Sequence, residues 1–378
     1  MDKKTKDQIK MLMQRGILPA LYRHYEKNTE VKKGKILFAD SNQKGLSNEM
    51  KPVYMALKKL GYRPEIYTGD IRKMKPAMVF RFMKTFMKKY AEAEYVFITN
   101  YFVPVSSCNK REETKVIQLW HAAGALKKMG YDAGDDIPSY YKGEPAKNFD
   151  LVTVSSPYCS QFFQSAFRLK EENVKATGIA RTDFYYNKRM NDKKIENFYF
   201  RYPKAKGKKI CLYAPSFAGN ATDPKCIGIE DGIVDIFNDM QDEWFLCVSL
   251  HPHLRKNYPE YNMCLKTEDI FPVADLLITD YSSVVFDFSL YDKPTLFYVP
   301  DYDEYKKKRG FYNDLETLPG KIVKDKNELY DIISSGKYEI DSASMKVFKE
   351  KYLSSCDGNA TRRILKEIGI LKEGNDNG

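Results

Sequence analysis

Two of the four histidines in this 378-residue sequence directly follow strand-like apolar runs, where an α/β protein can put them to chemical use. The first lies in Gln118-Leu119-Trp120-His121-Ala122-Ala123-Gly124-Ala125-Leu126-Lys127-Lys128, just after the run Val116–Leu119. A neutral imidazole at a strand end can take a proton from an attacking hydroxyl. The small residues around Gly124 would let a substrate approach beside Trp120, and Lys127 and Lys128 could hold its phosphates. A lone histidine also serves purely structural ends, so the motif by itself leaves both readings open.

The second histidine is in Ser249-Leu250-His251-Pro252-His253. Pro252 cannot continue a ladder, so His251 is carried on a loop. No cysteine or carboxylate is spaced to make the pair a metal site, and His251 reads instead as a phosphate or leaving-group contact.

A third segment, Ala274 to Asp287, contains Thr279-Asp280-Tyr281-Ser282-Ser283. A buried strand ends at Thr279, and serine is a preferred residue for starting a helix, here near Ser282 or Ser283. Free amides at a helix start, with hydroxyls beside them, suit a phosphate. Beyond the carboxyl end of a strand is also where open α/β sheets bind ligands. A capped helix that binds nothing is equally consistent with these residues. No glycine-rich loop marks a P-loop or a dinucleotide fingerprint.

Two further segments complete the candidates. In Lys306-Lys307-Lys308-Arg309-Gly310-Phe311-Tyr312 the glycine permits a turn that aims Arg309, a bidentate phosphate ligand, away from solvent. Tyr213-Ala214-Pro215-Ser216-Phe217 is another strand-end loop able to line a crevice. Asp301-Tyr302-Asp303 has the form of a metal-binding triplet, but such triplets arise easily by chance.

The elements that must position these residues alternate. Strand-like Lys35–Asp40 is followed by helical Glu49–Leu60 and strand-like Pro64–Tyr67. Further runs at Tyr95–Thr99, Val116–Leu119, Leu151–Val154, Ile210–Tyr213, Phe245–Leu250, Leu276–Thr279 and Thr295–Val299 are separated by helical segments, as doubly wound parallel sheets require. Residues 77–90 form an amphipathic helix whose stripe from Met78 to Tyr90 is wide enough for a core. Residues 7–24 have helical spacing with interleaved Lys and Arg, weakened by Gly16 and Pro19. Either helix could lie on a membrane surface. Asn187–Lys209, rich in Lys, Arg and Asn, reads as an inter-domain junction.

The length suits two domains. Apolar content of 43% with 30% charged residues describes a folded chain, not a disordered one. The 62 Lys and Arg against 51 acids give a net charge of +11, which points to a polyanionic partner: nucleic acid, anionic lipid or a phosphate-rich substrate. The seven cysteines are scattered without Cys-x-x-Cys and read as reduced thiols of a cytosolic protein. Neither a secretory signal nor a membrane span is expected, and residues 373–378 read as a frayed tail.

Gln118–Gly130, Val152–Phe163, Gly178–Asp183, Leu212–Phe217, Leu250–Pro252, Ala274–Asp287, Lys293–Tyr298, Arg309–Tyr312 and Asp357–Arg363 together resemble the CDP-glycerol glycerophosphotransferase family, the teichoic-acid primases and polymerases. The resemblance implies a GT-B α/β architecture, two Rossmann-like domains facing each other across a cleft. With it go an N-terminal segment over 1–30, an acceptor and membrane-side domain over 31–187, a donor domain over 188–345, and C-terminal helices over 346–372 that cross back. It implies CDP-glycerol or CDP-ribitol as donor, a lipid-linked polyol-phosphate or glycan acceptor, an anionic membrane surface as partner, and no cofactor or metal. Carried over residue by residue, His121 is similar to the family's base and His251 to its second essential histidine. Ser216, Thr279, Asp280, Ser282, Ser283 and Arg309 then hold the donor, while Trp120, Gly124 and Lys127 meet the acceptor. The family often has Trp-His-Gly-Thr where this chain has Trp-His-Ala-Ala-Gly, which leaves the acceptor open. The rivals are a nucleotide-sugar glycosyltransferase of the same fold and a non-catalytic protein that binds anionic membrane or nucleic acid, although no nucleic-acid module is present. Glycerol against ribitol, primase against polymerase, and oligomeric state are not decided by sequence.

Overall fold

The computed structural model describes residues 3–134, 136–216, 218–220, 223–252, 254–261 and 263–372. Phe217, His253 and the tail 373–378, all named above, lie outside the described residues. The chain divides into two units. The first holds the chain up to His121, Met129–Phe184 and residues from Ser354 on; the second holds Ala122–Lys128 and Tyr185–Leu353.

The first unit is built on seven strands: β1 Lys32–Asp40, β2 Asn42–Gln43, β3 Glu65–Asp70, β4 Ala93–Ile98, β5 Lys115–Gln118, β6 Leu151–Thr153 and β7 Val174–Lys175. They lie in the order β2-β3-β1-β4-β5-β6-β7, all parallel except for the β2–β3 edge pair. Val116 and Ile117 of β5 are both buried, one on each face, which is why the strand shows no apolar–polar alternation there; the polar Gln118 that ends it is buried too. Consecutive strands step from β1 to β3 on one side and to β4 on the other, so the sheet's switch point lies between β1 and β4.

Helix Pro76–Tyr90 buries Met83, Phe86, Met87 and Tyr90, so most of its stripe is core; Met78 and Phe80 stay exposed. The 7–24 pattern, weakened on paper by Gly16 and Pro19, is helical throughout. Helices Lys3–Leu12 and Leu18–Glu26 are joined by a π-helical turn, Met13–Ile17. Pro19 has no N–H to give and its ring crowds the carbonyl one turn back, so the ladder widens there instead of breaking. Leu18 and Tyr22 are buried, whereas Ile9, Leu12 and Ile17 face out.

Residues after Ser354 complete this unit. Helix Ala360–Glu367 packs Ile364 and Leu365 into the core cluster around Phe38 and Phe97. Asp183 accepts from the backbone N–H groups of Ala360 and Thr361 at 2.9 and 2.8 Å. Gly178, at φ +87, sits where a Cβ would fall 2.0 Å from the Ser355 carbonyl oxygen, so only glycine allows that approach.

The second unit has a five-stranded, wholly parallel sheet formed by β8 Lys209–Tyr213, β11 Trp244–Val248, β12 Leu276–Thr279, β13 Thr295–Tyr298 and β14 Lys321–Val323, in the order β11-β8-β12-β13-β14. A small antiparallel pair, β9 Ala218–Asn220 with β10 Asp223–Lys225, stands apart from it. The switch point here lies between β8 and β12. The stretch expected as a junction is mostly helix, Lys188–Arg201, which packs within this unit through fully buried Phe198. The division between units falls just ahead of it, after Phe184. Helix Ser342–Leu353 also belongs to the second unit, so the return to the first begins at Ser354, later than the expected 346.

Candidate functional site

His121 leaves the carboxyl end of β5 through an unusual backbone. Trp120 has φ +56, a left-handed conformation that costs a non-glycine residue about 1–3 kcal/mol. Its indole, 6% exposed, is held in place by Tyr101, Phe163 and Phe167, with ring centroids 6.2, 5.7 and 5.0 Å away. The same ring lies 4.3 Å from the imidazole. Trp120, expected as an acceptor contact, turns its ring into this aromatic cluster, against the imidazole of His121.

His121 Nδ1 lies 3.2 Å from the Thr99 carbonyl oxygen. A carbonyl only accepts, so Nδ1 carries the proton and Nε2 keeps its lone pair. Thr99 follows β4, at the switch point of the first sheet. The His121 carbonyl accepts from Arg181 Nη1, and Arg181 pairs with Glu49 at 3.2 Å. Solvent reaches the imidazole, yet protein encloses it closely enough that desolvation lowers its pKa; Arg181 also lowers it, against Thr99, Glu49 and Asp136. The group is thereby neutral, and able to act as a base, over a wider pH range than an ordinary histidine. Sequence reading missed Thr99, Glu49, Asp136 and Arg181. Arg181 stood within the family-like segment Gly178–Asp183, which was the available signal.

In the second unit Ser216 and Asp280 meet at the β8–β12 switch point. Ser216 donates to the Asp280 carboxylate from its N–H at 2.9 Å and its hydroxyl at 2.8 Å. Burial raises the Asp280 pKa, opposed first by Lys127 and then by these two bonds. The pair ties two strand-end loops together. Thr279 is fully buried and its hydroxyl donates to the Ala214 carbonyl at 2.7 Å, which withdraws it from any ligand. Tyr281 is buried as well, donates to Asp301 at 2.8 Å and stacks on Tyr305 at 3.8 Å. Asp303 pairs with Lys324, so the Asp-x-Asp triplet is divided between structural duties.

The helix expected near Ser282 is only Val284–Phe288, and Ser283, at its cap position, makes no side-chain cap bond. Ser282 Oγ instead accepts from the Val284 N–H at a long 3.4 Å. Both serines are half-buried. With five residues the helix adds little dipole, and what the site offers an anion is local N–H and O–H groups.

The Ala122–Lys128 segment contributes to this second unit, not to the His121 side. Gly124, expected as an acceptor contact, has φ +66 and packs against Phe286 so tightly that a Cβ would sit 2.3 Å from the ring. Lys128 N–H donates to the Gly310 carbonyl and Tyr312 N–H to the Leu126 carbonyl, at 3.3 and 2.8 Å. These bonds set Lys127 near Asp280 and Arg309, with its ammonium 5.9 Å from the Tyr305 ring centroid. Desolvation lowers the Lys127 pKa, Asp280 raises it and Arg309 lowers it. Lys127 thus joins the candidates of the second unit. Arg309 is half-buried at the end of helix Tyr302–Lys308, and His251 is half-buried with its carbonyl accepting from Leu254 N–H at 2.8 Å. The cavity lined by Ser216, Asp280, Tyr281, Asp301 and Tyr305 holds about 20 Å³, room for roughly one water. That space is too small to enclose a nucleotide. Among the described residues no three His, Cys, Asp or Glu side chains are grouped to hold a metal ion, and no helix is long and apolar enough to cross a membrane.

The profile of the family described as CDP-Glycerol:Poly(glycerophosphate) glycerophosphotransferase matches residues 21–369. The chain is 32% identical over 384 aligned positions to the teichoic acid ribitol-phosphate primase of Bacillus spizizenii, covering 96% of this chain and 98% of that protein. It is also 32% identical to the teichoic acid glycerol-phosphate primase of Bacillus subtilis, over 74% of each. Among solved structures, the wall teichoic acid polymerase TagF superimposes with a TM-score of 0.74 at 23% identity, over 97% of this chain and 98% of that one. At that identity the likeness speaks to the fold.

Proposed function

Taking as premise that the chain belongs to the CDP-glycerol:poly(glycerophosphate) glycerophosphotransferase family, we propose that it transfers an alditol phosphate, glycerol or ribitol, from a CDP-alditol to a hydroxyl of a lipid-linked teichoic-acid-type acceptor. The acceptor oxygen forms a bond to the β-phosphorus of the donor, the bond from that phosphorus to the bridging oxygen breaks, and CMP leaves. His121 Nε2 takes the hydroxyl proton. The observation that carries this reading is the tautomer: Nδ1 is committed to the Thr99 carbonyl, which leaves Nε2 as a neutral base.

Charge on the phosphates is met by Lys127, Arg309, His251 and the N–H and O–H groups of Ser282 and Ser283, while the Ser216–Asp280 pair fixes the loops that present them. Preorganised cations and dipoles are what phosphoryl transfer chiefly requires. The reaction drawn this way calls on no metal. Ile9, Leu12 and Ile17, exposed on the N-terminal helical segment that also carries Lys10 and Arg15, support peripheral attachment to an anionic membrane, where a lipid-linked acceptor resides.

The test is to incubate the protein with a short lipid-linked acceptor and, separately, CDP-glycerol, CDP-ribitol and UDP-sugars, then to weigh the products. A mass increase of one or more alditol phosphates with a single CDP-alditol is expected. Sugar addition from a UDP donor, with none from CDP-alditols, overturns the proposal in favour of a glycosyltransferase.

A further inference from the structure

Away from these groups, the first unit holds a cavity of about 790 Å³. One wall is the N-terminal helical segment, with Arg15 from the π-helical turn and Arg23 two turns on. The others are the stretch Ser106–Lys110 and the loop Lys142–Lys147. Gln14, 3% exposed, ties the three walls together. Its Nε2 donates to Ser106 Oγ at 2.9 Å and to the carbonyls of Ser106 and Glu144 at 3.3 and 3.4 Å, and its Oε1 accepts from Tyr141 at 2.9 Å. The cavity is thus a built feature, and the widened turn at Gln14 and Arg15 is part of its wall.

Its lining is strongly cationic. Arg15, Arg23, Lys142 and Lys147 form no ion pair among the described residues; the ammonium groups of Lys142 and Lys147 donate to the Ser139 carbonyl and the Asn109 side-chain oxygen. Lys110 is paired with Asp150 at 3.0 Å. Of the two carboxylates present, Glu26 leans toward Arg111 at 3.8 Å, which leaves Glu144 as the acid facing four cations. No aromatic side chain lines the space, so a nucleobase finds nothing to stack on. Apart from Pro19 and Cys108 there is little apolar surface for an acyl chain. The volume suits an extended ligand and not a single phosphate. The loop that supplies Lys142 and Lys147 begins near Asp136, whose charge is felt at His121.

We infer that this cavity binds a phosphodiester-linked polyol, two or more phosphates of an acceptor chain, with Arg15 and Arg23 gripping one phosphate region and Lys142 and Lys147 another. The identification of the polyol rests on the transfer reaction proposed above; the polyanion-binding role rests on the cavity alone.

The probe is a fluorescently labelled glycerol-phosphate hexamer, with binding followed by anisotropy in the absence of any donor. Arg15→Gln/Arg23→Gln and, separately, Lys142→Gln/Lys147→Gln are each expected to weaken the hexamer's affinity by about tenfold or more, to flatten its salt dependence, and to leave CDP-glycerol binding unchanged. All four residues are exposed at the rim of the cavity, and either pair alone suffices for the test should the other variant fold poorly. Unchanged hexamer affinity in both pairs overturns the inference. So does loss confined to binding of phosphatidylglycerol vesicles, which makes the cavity a lipid headgroup site. Hexamer binding that falls in the variants while the wild type turns over no CDP-alditol upholds the cavity and overturns the transfer reaction.

Discussion

The ends of β5 and β12 are the same kind of place, the carboxyl edge of a buried parallel strand, yet the two have been finished differently. After β5 groups from several segments converge on His121: the strained Trp120 precedes it, the Thr99 carbonyl fixes its tautomer, and Arg181 anchors its backbone. After β12 the polar side chains are spent within the protein, Thr279 on the Ala214 carbonyl, Asp280 on Ser216 and Tyr281 on Asp301. What the second place presents is mainly backbone, Ser282 and Ser283, with Lys127 and Arg309 close by. In the proposed reaction one edge moves a proton and the other holds charge still. A binding edge needs rigidity more than it needs free side chains.

That contrast can be broken in graded ways. The largest effect is expected from His121→Ala, which should lower kcat by about a thousandfold, in the range of a lost general base, while leaving the dissociation constant of CDP-glycerol unchanged by calorimetry. Turnover near the wild-type level would remove His121 from the proton step. Next comes Gly124→Ala. Positive φ and the collision with Phe286 should together destabilise the second unit by about 3 kcal/mol, seen as a lower melting temperature; a stability change within error would mean that the helix at Val284 shifts freely.

Asp280→Asn keeps one acceptor for Ser216 and loses the other. An increase of about tenfold in the donor KM, with an unaltered pH profile, is the expected signature of an edge that only binds. A shifted profile would give Asp280 a share in the proton chemistry. The smallest effect concerns the acid limb of kcat/KM. Activity needs neutral His121 and so rises with pH through its pKa. Because desolvation lowers that pKa, the limb should fall below the ordinary histidine value of about 6.5, and a limb above it would contradict the enclosure described for the ring.

Most strands were readable because both faces of a parallel sheet are covered, which leaves apolar runs such as Leu276–Thr279 without alternation. The short strands Val174–Lys175 and Lys321–Val323 carry too few residues to form a pattern. Serine's preference for helix starts located the turn at Ser282–Ser283 but not its length, since the following helix is set by packing of Val285, Phe286 and Phe288 in the core and stops at five residues. His121 was conspicuous from its neighbours in sequence. The groups around its ring and backbone, Thr99, Glu49 and Arg181, come from distant segments that only the sheet brings together. Lys127 stood six residues from His121 and was grouped with it for that reason; the bonds to Gly310 and Tyr312, which assign it to the other unit, have no local signature.

The return of the chain to the first unit bears on how the protein is made. Asp183 must wait for the N–H groups of Ala360 and Thr361, and the first unit's core for Ile364, yet about 170 residues lie between Phe184 and Ser354. At ribosomal rates of about 5–20 residues per second, that interval lasts roughly 10 to 30 s. Throughout it the seven-stranded sheet can assemble but lacks its closing helix, while nearly all of the second unit, apart from Ala122–Lys128, emerges as one continuous stretch. The unit translated first is therefore the one that finishes folding last, and during that interval the apolar floor around Phe38 and Phe97 is the surface a chaperone would meet.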